Sequence, residues 1–202
     1  MKELLFIKDT VSNKITYYHL LIFLVALPFD RLYSELALIS LCIHSLIHLT
    51  KTRLASIQWR TIALPISIYL LTCLGTTYTH YRGEAFFEWE RQLAILLFPI
   101  LLSLTTLDLR KYTLPLLKGL SLTCIITILY LYCDALRVIA YNKLPLRSLF
   151  SHAFINHNFS LPIDLHATYF SMYAALSAIT LLYLVITTKK LWYRLLLSIG
   201  LL

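Results

Sequence analysis

The chain has 202 residues, of which 59% are hydrophobic and 14% are charged, against about 25% charged in an ordinary soluble domain. Its mean hydropathy is +0.74, which points to a membrane protein. The formal charge of +8 falls in clusters between apolar runs, so it reads as membrane topology, and no nucleic-acid partner is expected.

In chain order, residues 1–16 are too long and too mixed in charge for the n-region of a signal peptide, and no small-x-small site follows Phe29. The first span is therefore expected to stay in the membrane. Apolar runs of roughly 15–22 residues suit a hydrocarbon core about 30 Å thick. They predict spans near 17–29, 32–50, 61–79, 93–107, 112–133 and 165–187. The first and fourth are short, which allows for tilt, local thinning or partial burial. After Arg194 come eight residues, Leu195 to Leu202, which reach roughly 12 Å as helix. A seventh span begins there and stops. The expected fold class is all-α: one polytopic transmembrane bundle over residues 1–202, with six full spans and the start of a seventh. The chain is expected to be the N-terminal part of a longer protein.

Lys2, Lys8, Lys14, Lys51, Arg53, Arg60, Arg110, Lys111, Lys118, Lys189, Lys190 and Arg194 fall at the N-terminus or in even-numbered connections. These are twelve of the 18 Lys and Arg. The other six are Arg31, Arg82, Arg91, Arg137, Lys143 and Arg147. The bias puts the N-terminus in the cytoplasm. Cys42, Cys73, Cys124 and Cys133 lie in or beside the spans without a C-x-x-C pair and read as small packing residues.

Two connections are then on the outer face, 80–92 and 134–164. In the first, Glu84, Glu88 and Arg91 share one helical face at i, i+4 and i+7. This pattern fits a rim that orients a phosphate-bearing or sugar substrate, with Arg91 on phosphate and Glu88 fixing it. It equally fits an i, i+3 ion pair on an interfacial helix, with Phe86, Phe87 and Trp89 as anchors. The apolar residues of 134–164 suggest a loop lying on the membrane surface.

The run His166-Ala-Thr-Tyr-Phe-Ser-Met-Tyr173 stands where that loop becomes the last full span. His166, Tyr169, Tyr173, Ser177 and Thr180 fall within about 80° of one another at 100° per residue. A polar stripe on an apolar helix is costly against lipid, so it should face protein or a water-filled cavity. His166 is a candidate base or sugar ligand, or a histidine bonded to loop backbone at the helix start, with Asp164 available as a cap. His152, His157 and His166 have no compact zinc spacing, and His44, His48 and His19 form only a weak haem pattern, so neither metal nor cofactor is expected. No P-loop, G-x-S-x-G, G-x-G-x-x-G or H-E-x-x-H motif occurs.

Gly75-Thr-Thr-Tyr-Thr79, with Glu84-Ala-Phe-Phe-Glu-Trp-Glu-Arg-Gln-Leu-Ala-Ile-Leu-Leu-Phe-Pro-Ile100, resembles the early region of bacterial O-antigen ligase family membrane proteins, in the form seen in Bacteroidetes-like bacteria. His166–Tyr173 resembles the His-Pro-Thr-Tyr-Phe-Ser segment of the same proteins, with Ala167 in place of proline. The resemblance spans roughly residues 15–200 and matches the N-terminal half of such a protein. It implies a bacterial inner-membrane glycosyltransferase that moves glycan from an undecaprenyl-pyrophosphate carrier to lipid A-core on the periplasmic face, without a nucleotide sugar or an essential metal. An O-antigen polymerase of the same superfamily is the nearest alternative. A polytopic transporter or flippase, or a non-catalytic scaffold, comes from other classes. The implied partners are a lipid-linked oligosaccharide donor, a lipid A-core or glycan acceptor, and membrane lipid. The family's main catalytic arginines and histidine lie in a later periplasmic loop, so this chain alone is expected to be inactive. Its expected contributions are Arg82 and Arg91 toward pyrophosphate, Glu88 beside them, His166 as base, and Tyr169 and Tyr173 on sugar.

Overall fold

The computed structural model describes residues 2–55 and 57–200. The α-helices among them are α1 (Lys2–Leu5), α2 (Val11–Ala26), α3 (Arg31–Ile47), α4 (Lys51–Ala55), α5 (Trp59–Gly75), α6 (Arg82–Leu104), α7 (Leu109–Tyr141), α8 (Ala167–Thr187) and α9 (Leu191–Ile199). Short 3₁₀ turns fill part of the α7–α8 connection. The chain divides into two compact units, Met1–Ile39 with Asp108–Leu202, and Ser40–Leu107.

The six-span bundle is corrected. Among the described residues two helices, α7 and α8, are both long and apolar enough to cross a membrane. Seventeen residues, the length of α3 and of α5, rise only about 25 Å, short of a hydrocarbon core about 30 Å thick. The sixteen residues of α2 include Ser12, Asn13 and Lys14. The 23 residues of α6 carry Arg82, Glu84, Glu88, Glu90 and Arg91 in their first half, which leaves about 18 Å of apolar helix. The expected seventh span falls on α9, and its last two residues, Leu201 and Leu202, lie outside the described residues.

In the first unit, α7 is the central element, contacted by α1, α2 and α8. Asp108 starts it, accepting from the N–H groups of Arg110 (3.1 Å) and Lys111 (3.4 Å). Thr10 caps α2 in the same way, accepting from the Asn13 N–H at 3.3 Å. Gly119 permits close approach of α2 to α7: a Cβ there would lie 2.7 Å from Leu21 Cδ1. Ser121 bonds across to α8, its hydroxyl reaching the Ser177 carbonyl at 3.5 Å. Small and hydroxyl residues at this seam let two apolar helices pack closely. α9 packs through Leu197 on Leu181 and Leu184 of α8.

In the second unit, α5 and α6 pair as an antiparallel hairpin, with Ile57, Ile62 and Leu104 in its core. Thr72 donates to Gln92 Oε1 at 2.7 Å, and Trp89 Nε1 donates to Thr76 Oγ1 at 2.9 Å. Each polar group so paired avoids the cost of burial without a partner.

Candidate functional site

His166 is the residue that starts α8. Its backbone is extended (φ −61°, ψ 130°), and its Nδ1 accepts the Thr168 N–H at 3.3 Å. Asp164 takes no part in the cap; it sits two residues earlier in the left-handed region at φ 50°. A histidine bonded to loop backbone was expected; instead its ring accepts from the first turn of the helix itself. A neutral imidazole whose Nδ1 accepts must carry its proton on Nε2. The capped ring therefore presents a donor, and it serves as a base only if the cap is released.

Around His166 lie the His157 ring at 4.7 Å and the Tyr169 ring at 6.1 Å, centroid to centroid. Tyr169 is 58% exposed. Further along the stripe Tyr173 is half-buried, and Ser177 and Thr180 are buried. The Thr180 hydroxyl bonds back to the Leu176 carbonyl at 2.9 Å. The stripe thus has two parts. Its inner residues belong to the α7–α8 seam, and its outer residues, His166 and Tyr169, are open.

Beside the outer part is a cavity of about 620 Å³, within the range of small-molecule sites. Its walls come from Tyr132, nine residues before the end of α7, the 149–160 loop and the first turns of α8. Tyr132 supports the loop by a ring contact with Phe159 at 5.1 Å. The Asn158 side chain bonds to the His152 carbonyl at 2.7 Å. The connection is shorter than expected, because α7 runs on to Tyr141 before Lys143 turns the chain at φ 54°.

Arg82, Glu88 and Arg91 belong to the other unit. The segment expected as a connection, 80–92, is helical from Arg82 onward. Arg82 opens α6 and is exposed. Glu88 and Arg91 form the i, i+3 ion pair at 2.7 Å, with side chains 43% and 68% exposed. Gln92 also reaches Glu88, at 3.5 Å, so the pair continues into the Thr72 contact with α5. A solvated pair of this kind contributes a few tenths of a kcal/mol. The outer-face position given to these three residues depended on the six-span count, and two long apolar helices do not supply it. His48 bonds through Nδ1 to the His44 carbonyl at 3.0 Å, a local helix contact. Among the described residues no three His, Cys, Asp or Glu side chains converge as a metal site.

One polar cluster has no counterpart in the sequence reading. Asp9 accepts from the Thr10 N–H and from the Asn13 side chain, both at 2.8 Å, and from the Tyr112 hydroxyl at 3.0 Å. The Asn13 bond first, then the Thr10 bond, hold its carboxyl below the usual aspartate value of 3.8. Nearby, the fully buried Tyr17 donates to the Leu4 carbonyl at 2.8 Å and packs on Tyr112. Asp-Thr followed by Asn13 signals a helix start. Tyr112, 103 residues away from Asp9, gives no local signal.

Comparison with protein-family models, with curated proteins and with solved structures gives no match to this chain.

Proposed function

We propose that this chain is an integral membrane protein of the O-antigen ligase type in a bacterial inner membrane. It would take part in moving glycan from an undecaprenyl-pyrophosphate carrier to lipid A-core on the periplasmic face. The observation that supports this reading is the His166–Tyr173 segment. It resembles that family in sequence, and its open residues stand beside a cavity where α7 gives way to α8.

The orientation follows from charge. Arg110, Lys111 and Lys118 flank the start of α7, and Lys189, Lys190 and Arg194 follow α8. Against these six, the last turns of α7 carry Arg137 and the connection that follows carries Lys143 and Arg147. The positive-inside bias turns the 142–166 connection outward and leaves the N-terminus cytoplasmic. His166 then donates from Nε2 to a sugar hydroxyl or phosphate oxygen, and Tyr169 offers a ring face and a hydroxyl. The cap favours this binding role for His166 over that of a base. The reading rests on this group and not on Arg82, Glu88 or Arg91.

Deleting the gene and resolving lipopolysaccharide by gel tests it. The reading predicts loss of the O-antigen ladder from lipid A-core and accumulation of carrier-linked glycan. An unchanged ladder contradicts it, and a collapse to single repeats identifies the polymerase instead.

A further inference from the structure

The cavity at the end of α7 and the start of α8 has an amphipathic wall. Phe150, Phe154, Phe159 and Phe170 form its apolar side. Asn156, His157, Thr168 and Ser171 form its polar side. No carboxylate, ammonium or guanidinium group lines it. Ser160 stands in the same wall, 1% exposed, with a hydroxyl that has no hydrogen-bond partner. A buried hydroxyl without a partner costs free energy, which a carbonyl or hydroxyl of a bound molecule would offset.

The surroundings narrow the class of ligand. Leu161 and Met172, close in sequence to the lining residues, are 71% and 61% exposed. Tyr132 lies at the end of the apolar stretch of α7, just before Asp134. With α7 and α8 in a bilayer, the cavity sits at the level where hydrocarbon meets headgroups, and exposed apolar residues adjoin its lining in sequence. An anionic headgroup would have no cation in the wall to meet, whereas an apolar chain meets four phenylalanines.

We infer that this cavity takes one long apolar chain from the bilayer, with the uncharged ester or alcohol end of that chain against Ser160 and the Asn156 edge. The inference rests on α7 and α8 crossing a membrane and does not depend on the transferase reading. Acyl glycerolipids and polyprenols share this chemistry.

The full chain in lipid nanodiscs would be photolabelled with two probes, a diazirine-bearing acyl glycerolipid and a diazirine-bearing polyprenol, and the adducts mapped by peptide mass spectrometry. Ala167→Trp fills the cavity, and Met172→Trp adds the same bulk to the same helix outside it. Thermal unfolding confirms that both variants fold. We expect adducts from at least one probe to concentrate in residues 149–171. They should fall about tenfold in Ala167→Trp, as for a tenfold weaker site, and remain in Met172→Trp. The probe that behaves so identifies the source. Adducts from both probes spread evenly along α7 and α8, or labelling of 149–171 that survives in a folded Ala167→Trp, would overturn the inference. If Ala167→Trp fails to fold, Ser171→Trp fills the same space and is held to the same outcomes.

Discussion

His166 holds two jobs in one ring, and substitutions separate them. Nδ1 caps α8, so His166→Ala should cost about 1 kcal/mol of stability, whereas His166→Asn keeps a capping side chain and most of the stability. Both lose the Nε2 donor. Thermal unfolding in detergent should rank wild type and Asn together above Ala, and equal melting of all three would contradict the cap. Asp9 sets a pH dependence with a definite sign. Its carboxyl is held below 3.8 in the folded chain, so the stability it contributes is fully present above the unfolded value. That stability is lost as pH falls below about 4 through the lower folded value. Asp9→Asn should flatten this acid limb of the melting curve and leave the slope near neutrality unchanged. An identical acid limb in the variant would show that Asp9 does not carry it. The helix-start chemistry of both residues was readable locally, from His166 before an apolar run and from Asp-Thr before another. Their partners His157 and Tyr112 were not, because a ring contact or a hydroxyl bond made by the fold leaves no spacing to read.

At the scale of elements, α7 and α8 were the readable ones, since both carry long apolar stretches. Their ends were less readable. Asp134 and Arg137 look like the start of a connection, but they pair with each other at 2.6 Å, one turn apart, and the helix continues beneath them. In the first half of α6 the shared face of Glu84, Glu88 and Arg91 did signal a helix, and Glu88 and Arg91 make the same kind of pair; what stayed hidden is that this segment runs on into the apolar half without a break. Charged residues end an apolar run without ending a helix. Packing between elements turns on small residues, above all Gly119, where α2 approaches α7. Gly119→Leu would place a branched chain against Leu21 and should destabilise by about 1–3 kcal/mol through overpacking. Gly83→Leu, with open space around it, should change little by the same unfolding assay. Equal effects at the two positions would contradict close packing of α2 on α7.

For the whole molecule, composition pointed to a membrane protein, and hydrophobic runs predicted six spans where two of the described helices have the length and composition to cross. An apolar run of 17 residues serves a short helix of a compact unit as well as a crossing, and hydropathy alone does not separate the two. What the structure supplies is a pair of helices of crossing length, antiparallel through the Ser121–Ser177 seam, with His166 and the cavity at one end. In the proposed orientation this end faces outward. Single-cysteine variants test it most directly, with Cys42, Cys73, Cys124 and Cys133 replaced by alanine and a cysteine placed at Ser151 or at Lys189. A membrane-impermeant maleimide applied to intact spheroplasts should label Ser151→Cys at once and Lys189→Cys only after lysis. Protection of Ser151→Cys with labelling of Lys189→Cys, or equal labelling of both before lysis, would contradict the account.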